Sequence, residues 1–161
     1  INQKMVSKAI ELLALEKSDI VLDGFCGIGN FSLALARHSE KVIGIEGSQN
    51  CVNRARLNAD KNGIHNCHFI EQDLFAESLD IPELGEVSKV LIDPPRSGAL
   101  ELCKKLASTA VERVVYVSCN PVTLARDAVL LTEAGFTLEG AGVIDMFPHT
   151  THVESIACFV K

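Results

Sequence analysis

Short runs rich in Val and Ile recur along this chain, and each is followed by a longer run whose apolar residues have helical spacing. The spacing predicts strands at IVLD (20–23), KVIGIE (41–46), CHFIE (67–71), KVLID (89–93) and RVVYVS (113–118). Between them it predicts helices over 29–39, 48–63 with Gly63 closing the last turn, 99–109 and 122–135. A strand that is apolar on every residue must be covered on both faces, and a helix after each strand supplies the cover. The chain is therefore expected to be α/β, with a mainly parallel, Rossmann-like sheet. After Gly135 the rhythm changes to strand, turn and strand, FTLEGAGVIDMF, PHTTH and VESIACFVK. That connection is too short for a parallel crossover, so this C-terminal pair must be an antiparallel hairpin.

A length of 161 residues suits one domain, 1–161, with no repeat or linker to divide it. No apolar run reaches the 18 residues or so of a membrane span, and no signal-peptide pattern follows Ile1, so a soluble, cytoplasmic protein with no membrane partner is expected. INQKMVSKAIELLAL already has the spacing of an amphipathic helix, which suggests a piece of a longer protein. The formal net charge of −6 offers no general attraction to a phosphate backbone. The six cysteines contain no CxxC pair, which argues against a zinc ribbon or thioredoxin-type site and for reduced thiols. His149 and His152 flank the hairpin turn, and without a third ligand they read as turn residues, so no metal site is expected.

The first strand runs into VLDGFCGIGNFSLALA, where Asp23, Gly24, Gly27 and Gly29 stand between strand and helix. Small residues there let the backbone approach a ligand that faces the helix N–H groups. Glu46 closes the second strand 19 residues after Gly27, the spacing at which a carboxylate accepts from a ribose diol in nucleotide folds. The glycine order is GxxGxG, not the GxGxxG of dinucleotide binders, so a pyrophosphate clamp is the weaker interpretation. By themselves the glycines could serve only a tight turn. Asp73, in EQDLF after the third strand, adds an acid where an adenine amino group could donate. Three acids at the carboxyl ends of three strands suit a cationic sulfonium better than a phosphorylated cofactor, and together they resemble the S-adenosylmethionine-dependent methyltransferase fold.

A second group lies further along the same edge. LIDPPRSG puts Asp93 and Arg96 on a short loop stiffened by two prolines, and Cys119 follows the fifth strand in SCNPVTLARD. A helix that begins near Pro121 aims its positive end at the Cys119 thiol, an arrangement that suits a nucleophile. Taken alone, Cys119 also fits a buried strand-end thiol and Glu154 a solvent-facing carboxylate.

DGFCGIGNFSLALA, DPPRSG, SCNPVTLARD and DMFPHTTHVES, in this order and spacing, resemble the catalytic domain of the bacterial RNA uracil-C5 methyltransferases, over nearly the whole of residues 1–161. Within that family the CNPVTLARD and DMFPHT strings look closest to the member acting on 23S ribosomal RNA; the transfer-RNA enzyme is the alternative. The resemblance implies that Cys119 is the nucleophile, Glu154 the base that takes a proton, and Asp93 a residue of the cofactor and active-site loop. It places Asp23, Phe25, Gly27, Asn30, Glu46 and Asp73 at cofactor positions and Arg96 on the substrate loop. S-adenosyl-L-methionine is the implied cofactor, RNA the implied partner, and a monomer the expected state. Full-length relatives also carry an oligonucleotide-binding domain and, in the 23S type, an iron–sulfur cluster. The cysteines here lack the clustered spacing for such a cluster, which is expected only in the full-length protein. A cofactor-binding fragment, inactive without those missing parts, is the other reading.

Overall fold

The computed structural model describes residues 2–145 and 153–161. The hairpin turn with His149 and His152 lies outside the described residues. The parallel part of the sheet is formed by β1 (Ile20–Gly24), β2 (Lys41–Glu46), β3 (Cys67–Glu71), β4 (Lys89–Ile92) and β5 (Arg113–Ser118). The C-terminal β6 (Thr137–Asp145) and β7 (Val153–Val160) pair antiparallel, and β7 inserts between β5 and β6. The order is β3-β2-β1-β4-β5-β7-β6, with β1 at the centre of the parallel group.

Alternation along the strands divides the core into two faces. Val21, Val42, Leu91 and Val115 point to one, where α1 (Asn2–Leu13) and α2 (Asn30–Ala36) cover them with Met5, Ala9, Leu13, Phe31 and Leu35. Their neighbours Leu22, Ile43, Val90 and Val114 point to the other, under α4 (Leu100–Leu106) and α5 (Pro121–Glu133). The flank of the first face is closed by α3 (Gln49–Lys61), whose Val52, Ala55 and Ala59 pack with Phe69 and Cys26. With both faces covered, β1, β2, β4 and β5 bury every residue but their ends, whereas only Phe69 is buried on the edge strand β3.

Local chemistry sets the element ends. Ser48 Oγ accepts from Cys51 N (3.4 Å) to open α3, and Gly63 takes a left-handed φ of 64° just past its end. Asn120 Oδ1 accepts from Val122 N (3.0 Å) and Pro121 fills the first position of α5, so this helix starts one residue before the expected 122. The helices expected over 29–39 and 99–109 are shorter, 30–36 and 100–106. A short 3-10 helix at Pro82–Gly85 before β4 was not expected from the sequence.

β4 stops at Ile92, not Asp93. Asp93 N still donates to Gly24 O (3.3 Å), but Pro94 has no N–H to continue the ladder. Asp23 lies inside β1, as the strand expected over 20–23 has it, between Gly44 and Leu91, and not with Gly27 and Gly29 in the turn that follows.

Candidate active site

The parallel register brings the carboxyl ends of the strands into line. Gly24 pairs with Ile45 and with Ile92, so one step further Phe25, Glu46 and Asp93 stand level. They line a cavity of about 300 Å³ together with Gly47, Asp73, Leu74, Phe75 and Pro95. That volume is at the lower end of the range for small-molecule sites, and its position at the strand ends is where open α/β sheets bind ligands.

The turn after β1 is held tightly. Phe25 takes a left-handed φ of 64°, a conformation costly for a residue with a Cβ, and its ring lies 5.3 Å from that of Phe75 across the cavity. Cys26 N donates to Ile45 O (3.0 Å), tying the turn to β2. Glu46 accepts from Gly27 N and from Ser48 N, both at 3.0 Å, so its carboxylate is fixed between the glycine turn and the start of α3. Asp73 accepts from Phe75 N (2.9 Å), which orients the Asp73–Phe75 segment as a wall. Asn30 is the first residue of α2 and does not line the cavity.

Asp23 is wholly buried beneath this floor. Its Oδ2 accepts from Ser32 Oγ at 2.5 Å, whereas Oδ1 is the one buried side-chain oxygen or nitrogen without a partner among the described residues. Burial, followed by the charges of Asp93 and Glu46, pushes its pKa up to about 7. Burial also lifts Asp93 to about 7, with the charge of Glu154 adding to the shift. Asp23 therefore acts on the cavity through its charge and its hold on Ser32, and not by lining the wall.

β5 ends at Ser118, paired with Ser155 of β7. One more step of that antiparallel register sets Cys119 level with Glu154, and both side chains are half-buried. Ser118 Oγ accepts from Asn120 N (3.0 Å) and donates to Asn120 O (2.8 Å), so the turn that carries Cys119 is braced on both sides. Arg96 is exposed at the tip of the proline loop, and its main-chain oxygen accepts from Asn120 Nδ2 (2.9 Å). The structure thus brings the acids Glu46, Asp73 and Asp93 to one cavity, with Cys119, Glu154 and Arg96 beside the Asp93 end of it. Phe75 was missed by sequence reasoning. The available signal was an aromatic two residues after Asp73.

Acids around an aromatic-walled hollow form a donor and acceptor set suited to a ribose, an amino group and a positive centre. The unpartnered Asp23 oxygen beneath is a buried acceptor that no group among the described residues satisfies.

The sequence pattern of the tRNA (Uracil-5-)-methyltransferase family matches residues 1–161. The 23S rRNA (uracil(1939)-C(5))-methyltransferase RlmD of Legionella pneumophila (strain Corby) is 56% identical over 164 residues, covering 100% of this chain and 37% of the relative. The RlmD of Burkholderia thailandensis is 53% identical over 171 residues, with the same two coverages. Among solved structures, the Pyrococcus abyssi tRNA (uracil-54, C5)-methyltransferase in complex with S-adenosyl-L-homocysteine superposes with a TM-score of 0.84 at 32% identity, over 99% of this chain and 38% of that one. An RNA methyltransferase from Salinibacter ruber, 19% identical with a TM-score of 0.70, shares the fold over 98% of this chain and 90% of its own. The chain spans a little over a third of the length of the curated relatives it matches. The chain belongs to the tRNA (uracil-5-)-methyltransferase family, and its sheet is that of the S-adenosylmethionine-dependent methyltransferases.

Proposed function

We propose that this chain is the catalytic domain of an enzyme that methylates C5 of a uridine in 23S ribosomal RNA, using S-adenosyl-L-methionine. The observation that carries the reading is the register that sets Cys119 level with Glu154, next to the Asp93 end of the acidic cavity. Identity above 50% to proteins named for 23S rRNA favours that RNA, and the tRNA enzyme from Pyrococcus abyssi keeps transfer RNA as the second reading.

Phe25, Gly27, Glu46, Asp73 and Asp93 would hold the cofactor, with Asp23 acting from below; Asn30, at the start of α2, stays outside the cavity lining. Bound there, S-adenosylmethionine supplies an electrophilic methyl group on a cationic sulfur. Uracil C5 is too weak a nucleophile to accept it unaided. Cys119 thiolate adds to C6 and displaces the C5–C6 π electrons onto C5 and the adjacent carbonyl, which makes C5 electron-rich. Once C5 carries the methyl group, Glu154 takes the remaining C5 proton, the C5–C6 double bond re-forms, and the Cys119 sulfur leaves with the electrons of its bond to C6. The target base must first leave its stack, and the exposed loop with Arg96 flanks the opening through which it enters.

No group of three or more His, Cys, Asp or Glu side chains fit to hold a metal ion occurs among the described residues.

The full-length protein, S-adenosylmethionine and RNA carrying 5-fluorouridine test the scheme, because fluorine cannot leave C5 as a cation. A band shifted on a denaturing gel with 23S RNA, and lost with Cys119→Ala, supports it. Binding of both substrates without any shift overturns the covalent step, and a shift with transfer RNA alone reassigns the substrate.

A further inference from the structure

The DPPRSG and SCNPVTLARD segments are joined by contacts that the reaction scheme does not use. Polar residues of the Asn120 cap and α5 recur at 120, 123, 126 and 127, a spacing that puts them on one helix face. Each grips a main-chain group of the proline loop. Asn120 Nδ2 donates to Arg96 O at 2.9 Å and Thr123 Oγ1 to the same oxygen at 3.1 Å. Arg126 Nη2 donates to Ser97 O at 2.9 Å, and Asp127 Oδ2 accepts from Ala99 N at 2.7 Å.

Asp127 is the anchor of this row. It is wholly buried, and beyond Ala99 N it accepts from the Tyr116 hydroxyl (2.7 Å) and from Arg126 Nε (2.9 Å). Gly98 lets the loop come this close: a Cβ there would lie 2.7 Å from both Arg126 Nη2 and Asp127 Oδ2, and its φ of +78° also disfavours any side chain. A buried carboxylate is a poor way to add stability, since an apolar replacement often does as well. A fixed geometry is what such a fully bonded network supplies.

That geometry is needed at this point. The β4 and β5 ladder ends at Ile92 and Tyr116, so no sheet hydrogen bond connects Asp93 and Arg96 to Cys119. We propose that Asn120, Thr123, Arg126 and Asp127 are positioning residues that clamp residues 96–99 onto α5 and so hold Arg96 in register with Cys119. The clamp governs the rate of methyl transfer and leaves cofactor affinity nearly untouched, because its contacts lie on the α5 side of the loop, away from Glu46 and Asp73, while Asp93 is tied separately to β1 through its N–H on Gly24 O (3.3 Å). This inference rests on the uracil-methylation reading for the reaction it serves.

The test uses the full-length protein with radiolabelled S-adenosylmethionine and a 23S rRNA transcript, both saturating, in single-turnover methyl transfer well below the melting temperature. Asn120→Ala and Thr123→Ala each slow transfer tenfold or more, the dissociation constant for S-adenosylmethionine stays within threefold, and Thr123→Ser recovers to within threefold of wild type. Gly98→Ala, which pushes the loop off α5, slows transfer in the same way. Folded variants that transfer at the wild-type rate overturn the clamp, as does a Thr123→Ser protein as slow as Thr123→Ala, or a slowing matched by an equal loss of cofactor affinity. A wild type that methylates no RNA overturns the uracil reading and the clamp's role with it; an active wild type matched by its variants overturns the clamp alone.

Discussion

Two carboxyl groups with pKa values near 7 lie at the cavity proposed to hold the cofactor, Asp93 in its wall and Asp23 beneath it. Burial is the larger cause in both, so each carries its proton in the free protein below neutrality. A cationic ligand favours the ionised forms, and its binding should release protons near pH 7. The affinity for S-adenosylmethionine should rise several-fold between pH 6 and pH 8, whereas S-adenosylhomocysteine, which lacks the positive sulfur, should show a flatter profile. Calorimetric titration of both ligands across that range checks it, and parallel profiles would sink the idea. Linkage gives a second sign. A carboxyl raised from 3.8 to about 7 by folding contributes stability that is complete below pH 4 and lost as the pH rises through 7. Asp23→Asn should therefore be more stable than wild type at pH 8 by up to about 4 kcal/mol, a margin that shrinks towards pH 5 in urea unfolding. Glu154→Gln belongs at the same scale: it keeps the shape of the side chain and loses the base. It should cut turnover about 100-fold or more and let an adduct with ordinary uridine RNA survive a denaturing gel, where wild type shows none.

The elements were legible where the signal was local. Short runs rich in apolar and β-branched residues located all five parallel strands, and the shortness of the 146–152 connection required the antiparallel hairpin. The insertion of β7 between β5 and β6 was not legible, because pairing partners across a sheet leave no local trace in one sequence. Yet that insertion is what brings Glu154 beside Cys119. The short 3-10 helix at 82–85 and the burial of Asp23 escaped for a related reason: both depend on packing from distant residues. Gly44 shows the same dependence. It sits in the middle of β2, where a Cβ would lie 2.7 Å from the Phe69 ring and 3.0 Å from Cys26 Sγ. Gly44→Ala should destabilise the protein by about 1–3 kcal/mol through overpacking. Adding Phe69→Leu, which frees space at the clash, should recover part of the loss in a thermal melt. If Gly44→Ala melts with wild type, the close approach of β2 and Phe69 is not what the position requires.

At the scale of the whole molecule, charge and chemistry pull apart. Residues 1–161 carry a net charge of −6, which repels a phosphate backbone, and in the proposed function Glu46, Asp73, Asp93 and Glu154 add to it on the edge that receives the base. Those acids suit a cationic cofactor, so the same choice that favours the cofactor opposes RNA. Two guanidinium groups stand near the opening, and that of Arg126 is engaged with Asp127 (2.8 Å), which leaves Arg96 as the exposed cation of the proline loop. The proposed function then draws its phosphate contacts chiefly from outside residues 1–161; the curated relatives are nearly three times as long as this chain. Residues 1–161 expressed alone should bind S-adenosylmethionine more nearly like the full-length protein than they bind RNA. Their RNA affinity should be at least 100-fold weaker, and its logarithm should fall with the logarithm of salt concentration with a slope of about 1 or less, against several for the intact protein. Fluorescence anisotropy with a labelled 23S rRNA hairpin, from 50 to 300 mM salt, measures both. A steep slope from residues 1–161 alone would mean that a basic surface within this domain grips the RNA, and the division of labour argued from its charge would fail.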